Sequence, residues 1–336
     1  MTFKDVKIKP ILDSLRLENI SDEIYFSEKY SDYVSNSRLS YINPEQEGSP
    51  EKYFKERPSL FLDSLVLGGA LHSIVLQPES YFIVDGVDRP TAKAGFMADE
   101  LYKPGKLPTD EEIIAASDKI DYYKGKMNSK KIQDLKDKCS TYWRTRALWE
   151  EQNPANTKTP IFLDEKKRDA VAGMMRTYEG YTEFHKLLKP EGILESPICG
   201  NEKTILLDVE ATVEDKEPII LRLKSKLDNY TINVEENLIV VNDLKTSSKP
   251  INMFKGAFNK YHYYRELGMY MWLLSLCAKQ FYNLDKPKME ANCLVLETFP
   301  DYNGCVYPLT NKDLQRGFNE FKTLLKLVAY YKFNGW

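Results

Sequence analysis

The chain has 336 residues, 42% hydrophobic and 29% charged, which describes an ordinary folded protein long enough to bury a full core. Its 47 basic and 50 acidic residues leave a net charge of −3, which excludes a broadly basic nucleic-acid coat but not a local basic groove. Five cysteines without a Cys-x-x-Cys pair argue against disulfides, a zinc ribbon and a four-cysteine iron–sulfur site. No apolar stretch approaches the ~20 residues of a membrane span, and Met1-Thr2-Phe3-Lys4-Asp5 does not read as a signal peptide. A cytosolic protein with no membrane contact is the expectation.

Residues 1 to about 55 are polar and rich in Ser, Asn and Tyr, and read as an arm over the surface. From about 56 to 190 the pattern is helical. Phe61 to Leu76 is an apolar helix, and Thr109-Asp110-Glu111-Glu112 is a capping box that opens another. Two more helices are predicted over Ser129–Gln152 and Asp164–Leu188. Between them, Pro78 to Pro108 carries Gly86, Pro90, Gly95, Pro104 and Gly105, and reads as a long irregular connection.

After Pro190 the pattern changes to strands: Ile193–Cys199, Lys203–Val213, Pro218–Leu227, Tyr230–Val234 and Leu238–Lys245. Gly200-Asn201 and Asp228-Asn229 read as turns between them. A long helix follows from about Asn259 to Gln280, apolar nearly all round from Leu267 to Ala278 and therefore buried. Strands near Glu290–Thr298 and Cys305–Tyr307 precede a last helix from Asn311, capped by Thr310. The fold class predicted is α/β (α+β), with a mixed central sheet flanked by helices. The division expected is an N-terminal arm and helical extension over 1–190 and a core over 191–336, together one compact unit.

Two carboxylates and an ammonium carry the chemistry. Asp228 is followed by Asp243-Leu244-Lys245 at the end of the β-branched run Ile239-Val240-Val241. Residues two apart on a strand share a face, so Asp243 and Lys245 point into one site, with Asp228 expected at the tip of a neighbouring strand. Hard divalent cations take such oxygens, and a bound metal serves phosphodiester hydrolysis. The tripeptide alone decides nothing. Asp134-Leu135-Lys136 repeats it and Asp164-Glu165-Lys166 fits the pattern, but Asp134 and Lys136 lie on a charged helix, where they diverge. Spacing alone leaves a surface ion pair at a strand end as an equal alternative.

Longer stretches resemble the PD-(D/E)xK nucleases, in particular the RecE-type (exonuclease VIII-like), RecB-like and lambda-type exonuclease branch. Leu67-Gly68-Gly69-Ala70-Leu71-His72 with Leu76-Gln77-Pro78-Glu79-Ser80-Tyr81-Phe82 is similar to the family's helix and following turn. Lys224-Ser225-Lys226-Leu227-Asp228 resembles its basic-x-basic-x-Asp strand, and Asp243-Leu244-Lys245-Thr246 its Asp-x-Lys-Thr strand. Tyr263-Tyr264-Arg265-Glu266-Leu267-Gly268-Met269-Tyr270 stands where the family has a helix with Gln-x-x-x-Tyr, and Ser35-Asn36-Ser37-Arg38-Leu39 resembles an N-terminal Ser-x-Ser-x-Leu stretch. The matches run in family order over about residues 35 to 275.

The resemblance implies a restriction-endonuclease-like core and a role for each position. His72, Asp228, Asp243 and the Leu244 carbonyl would hold Mg2+, with Mn2+ able to substitute, and Lys245 would orient the attacking water. Glu195 would hold a second metal. Without the family, His72 reads as a core histidine and Glu195 as a solvated acid. Glu266 departs from the family's Gln; it shares a helix face with Tyr270 and puts an acid where the family has a neutral donor.

The resemblance implies that Ser37 and Arg38 grip a terminal phosphate; the residues themselves lead to expected DNA contacts from Thr246 and Ser247 after the catalytic strand, and from Lys260 and Tyr263 in a basic and aromatic helix start that also holds Lys255, Tyr261, His262 and Arg265. The implied activity is Mg2+-dependent 5′-to-3′ digestion of duplex DNA ends in phage-type recombination. Partners implied are duplex ends, the single-strand product, a single-strand annealing protein and further copies of the chain, in a bacterial or phage-infected cytoplasm. A nicking or structure-specific endonuclease and a non-catalytic DNA-end-binding protein are the alternatives.

Overall fold

The computed structural model describes residues 2–54, 63–87, 89–90, 92–120, 122, 127–189, 198–298 and 300–335. The chain forms two compact units: Met1–Glu56 with Thr177–Glu297 and Asn303–Trp336, and Arg57–Arg176 with Thr298–Tyr302. The strands in chain order are β1 (Lys7–Glu18), β2 (Tyr81–Asp85), β3 (Thr159–Leu163), β4 (Ile198–Thr212), β5 (Ile219–Asn233), β6 (Leu238–Ser247), β7 (Lys288–Glu297) and β8 (Gly304–Pro308).

The first unit is built on a six-stranded sheet in the order β1-β4-β5-β6-β7-β8, antiparallel except for the parallel pair β6–β7. The mixed central sheet expected from the sequence is therefore present. Two elements differ from expectation for one reason. Gly200-Asn201 and Asp228-Asn229 do not turn the chain; both dipeptides lie inside long strands, where Asn201 faces Asn229. Turn-forming residue types here serve side-chain contacts instead. Asp228 and Asp243 accordingly sit within strands rather than at their tips.

Residues 7–18, read from the sequence as part of a surface arm, form the edge strand β1 against β4. Pro10 is tolerated on an edge, and a register shift between Ile11 and Arg16 erases the alternation that would have revealed the strand.

A parallel β6–β7 pair needs a crossover, and helices supply it. The expected single helix from Asn259 is instead two, Phe254–Lys260 and Tyr263–Tyr282, broken where His262 takes a left-handed φ of 56°. The second of these buries Leu267, Leu273 and Leu274 against Ile239, Val241 and Val295 of the sheet. The C-terminal helix Asn311–Phe333 lies on it in turn, its start fixed by a capping box between Thr310 and Asp313. Their approach requires glycine: a Cβ on Gly317 would stand 1.8 Å from the Tyr264 carbonyl oxygen. Beside this crossing the fully buried Arg265 guanidinium bonds Glu320 at 3.1 Å, Asn36 Oδ1 at 2.8 Å and Ser40 at 2.7 Å, tying the N-terminal segment to the central helix.

The second unit packs Met97, Ile113, Leu135, Cys139, Trp143 and Phe162 around the parallel pair β2–β3. The capping box at Thr109–Glu112 and the helix Ser129–Gln152 stand as predicted. The stretch 78–108, expected to be irregular, contains β2 and the helix Ala92–Glu100, whose short lengths leave too little periodicity to read. The helix expected over 164–188 is divided at Gly180–Tyr181 into Glu165–Gly180 and Thr182–Leu188. Among the described residues no helix is long and apolar enough to cross a membrane.

Candidate active site

Asp243 and Lys245 lie on one face of β6, as period two requires, and the Lys245 ammonium is 2.7 Å from Asp243 Oδ2. Asp228 enters from the adjoining strand β5, one residue from the Asn229–Asn242 pairing, and its Oδ2 accepts the Leu244 N–H at 2.8 Å. The central helix supplies the fourth group. Glu266 Oε2 lies 3.1 Å from the same ammonium, and Tyr270, one turn on, donates its hydroxyl to Glu266 Oε1 at 3.1 Å. The Tyr263 ring closes the cluster with its centroid 4.9 Å from the Lys245 nitrogen.

The electrostatics follow from crowding acids out of water. Burial raises the Asp228 carboxyl to about 6, against the opposing pull of Lys245 and the Leu244 N–H. Burial also raises Asp243 well above the usual carboxylate range, with Glu266 and Asp228 adding to the effect and Lys245 opposing it. Lys245 moves the other way. Burial disfavours its charge, but Asp243, Glu266 and Asp228 outweigh that and hold it well above the ordinary lysine range. It is therefore a fixed cation at neutral pH and not a proton acceptor.

These residues suit a hard divalent cation. Asp243 is 1% exposed, and its Oδ1 finds no hydrogen-bond donor among the described residues. Oδ2 touches the lysine without hydrogen-bond alignment. A buried carboxylate oxygen left without a donor costs about 1–3 kcal/mol or more, and a coordinated cation would remove that cost. The donor set around it is oxygen from carboxylates, the set that magnesium and manganese accept.

No family model matches the chain, and no curated protein matches it. Among solved structures it is similar to a candidate exonuclease from Eubacterium rectale, at 12% identity over 93% of this chain and 86% of that one, with a TM-score of 0.36. A likeness that shallow carries no argument, and the weight falls on the side chains.

One acid of the cluster was not singled out from the sequence. The carboxylates of Glu202 and Asp228 lie within 4.8 Å of each other. Glu202 holds a left-handed φ of 52° in the interior of β4, a strained conformation for a residue with a side chain. Burial and the Asp228 charge raise its carboxyl to about 8, although Lys226 stands 3.3 Å away and also pairs with Asp22. The signal was present as the Gly200-Asn201 irregularity in front of an acid, read as a turn.

Behind the site runs a ladder that fixes its register. Asn229 donates to Asn201 at 2.8 Å, Asn242 to Asn229 at 2.8 Å, and Asn292 to Asn242 at 2.9 Å, across four adjacent strands. Asn229 and Asn242 also donate to the Leu188 and Leu187 carbonyls at the end of the helix Thr182–Leu188. Asp228 and Asp243 are their chain neighbours and face the other side of the sheet.

Of the other residues expected in the site, Glu195 falls outside the described residues. His72 is half-buried on the helix Asp63–Leu76 of the second unit. Ser37 and Arg38 lie on the short helix Asn36–Ser40, with Ser37 exposed and the Arg38 guanidinium 4.8 Å from the Tyr53 ring centroid. Thr246 is half-buried.

Ser247 does not face outward as expected: it is buried, and its hydroxyl donates to the Lys249 carbonyl at 2.7 Å. Lys255, Lys260 and Tyr261 are exposed, but His262 and Arg265 are not part of a basic surface. His262 is buried, 2.7 Å from both Glu320 and the Tyr264 hydroxyl. The competing tripeptide carries surface ion pairs instead: Asp134 pairs with Lys138 and Lys136 with Asp110, in the second unit.

Proposed function

We propose that this chain is a divalent-metal-dependent nuclease, a DNA exonuclease of the PD-(D/E)xK type. The observation that carries the reading is the buried Asp243, with one oxygen lacking a donor, set between the Asp228 carboxylate and the Lys245 ammonium. Asp228, Asp243 and the Leu244 carbonyl would hold Mg2+ or Mn2+; the cation would polarise a phosphoryl oxygen and supply hydroxide near neutral pH.

The chain's own residues do the rest. The Leu244 N–H orients Asp228. Lys245, protonated throughout, offsets the charge that develops on the phosphoryl oxygens and orients the water by donating to it. Glu266 and the Tyr263 ring hold that ammonium in place, and Tyr270 holds Glu266. The roles of His72 and of Ser37 and Arg38, the 5′-to-3′ polarity, the duplex substrate and a phage-type recombination setting rest on the sequence resemblance.

Linear duplex labelled at either end, with covalently closed circular DNA beside it, tests the reading in Mg2+ or Mn2+. Release of the 5′ label from linear DNA while the circle survives is the expected result. Loss of the circle would identify an endonuclease, and binding of ends without digestion would identify an accessory protein. Asp243→Ala and Lys245→Ala are expected to reduce digestion to background in folded protein, and Asp134→Ala to leave it intact.

A further inference from the structure

The acid that replaces the family's glutamine stands where it has a specific partner. Glu266 is fixed at both oxygens, Oε2 to the Lys245 ammonium at 3.1 Å and Oε1 to the Tyr270 hydroxyl at 3.1 Å. Lys245 in turn is shared between Glu266 and Asp243, the closer partner at 2.7 Å. A cation taking up Asp243 competes with the ammonium for that carboxylate. With an amide at position 266 the ammonium would have no other carboxylate within ion-pair distance among the contacts seen here, in a place where its side chain is only 16% exposed. It would therefore stay on Asp243 and repel the arriving ion.

We infer that Glu266 is a positioning residue that tunes metal affinity through Lys245: it gives the lysine a second anchor, so that Asp243 can turn to the metal without expelling the ammonium. The charges agree. With Glu202 held against Lys226 at 3.3 Å, the remaining Asp228, Asp243 and Glu266 against Lys245 leave two negative charges when all are ionised, which one divalent cation balances, whereas a glutamine leaves one and the bound ion would create a buried excess of positive charge. Glu266 is thus neither a metal ligand nor a group repelling the substrate; it acts on the lysine. This rests on the metal-dependent reading above, and it explains why an acid is compatible with that site.

The test is Mn2+ binding without DNA, followed by the paramagnetic resonance of the free ion, in wild type, Glu266→Gln, Lys245→Met and the double variant, each checked for folding by circular dichroism. Glu266→Gln is expected to weaken Mn2+ about tenfold, and Lys245→Met to strengthen it by removing the competitor. In the Lys245→Met background the Glu266→Gln change is expected to cost no more than about threefold, since only the loss of a nearby charge remains. An equal or larger cost in that background would make Glu266 a direct ligand and overturn the inference, as would an unchanged affinity in the single variant. Lys245→Gln serves the same cycle if the methionine variant does not fold. Absence of Mn2+ binding by folded wild type would instead sink the metal reading itself, and this inference with it.

Discussion

Asp243 is a carboxylate that the fold holds at its own expense. Burial and two neighbouring acids raise it well above the ordinary range, so its ionised form is disfavoured in the metal-free protein. Asp243→Asn keeps the shape and removes the charge. In EDTA at pH 8 the variant is expected to be more stable than wild type by about 1–2 kcal/mol by thermal unfolding, while digestion is lost. A lower melting temperature would mean that the carboxylate serves the fold through Lys245 rather than the metal. At this scale the sequence was informative where the argument needed only local geometry: residues 243 and 245 share a face in any strand. Glu266 was placed on the right helix, but its attachment to Lys245 depends on where that helix lies on the sheet. Nothing in the spacing specifies that position.

At the scale of elements, the sheet's register is held by asparagines that the sequence disguised as turn signals. Asn242 is the centre of the ladder, donating to Asn229 and the Leu187 carbonyl and accepting from Asn292. Asn242→Ala takes one hydrogen bond each from the buried Asn229 and Asn292 and from the half-buried Leu187, at about 1–3 kcal/mol for a buried group that loses its bond. Urea unfolding is expected to show a loss of about 2–4 kcal/mol. Asn292→Ala, at the ladder's end, should cost less. If the two variants cost the same, the ladder is not a connected support.

The ladder also explains why β4 and β5 were each read as two strands. Asn and Asp favour turns in isolation, and only the neighbouring strands supply partners that make them acceptable in a strand interior. The start of β6 at Leu238, the C-terminal helix and the Thr109 and Thr310 caps were legible because their signals are confined to a few residues. The break at His262 was not, because apolar periodicity continues across it.

For the whole molecule, the cluster couples stability to pH in a direction opposite to that of ordinary salt-bridged acids. Glu202 is raised from 4.5 to about 8, so the folded state binds its proton more tightly than the unfolded chain does. The resulting stabilisation is present in full below about pH 4.5, declines as the pH rises, and is gone above about 8, with a limiting slope of about 1.4 kcal/mol per pH unit. Asp228, raised to about 6, adds a loss of the same sign at lower pH. Other groups titrate as well, so the difference between variants is the informative quantity.

Glu202→Gln and wild type, both in EDTA, are expected to melt together at pH 4 and to separate as the pH rises, the glutamine variant being the more stable at pH 8. Saturating Mg2+ is expected to narrow the gap, because a bound cation offsets the charge that the glutamine removes and adds its own binding energy to the wild-type fold. A gap that is already present at pH 4 and constant with pH would mean that position 202 acts through the hydrogen bonding of its side chain and not through its charge.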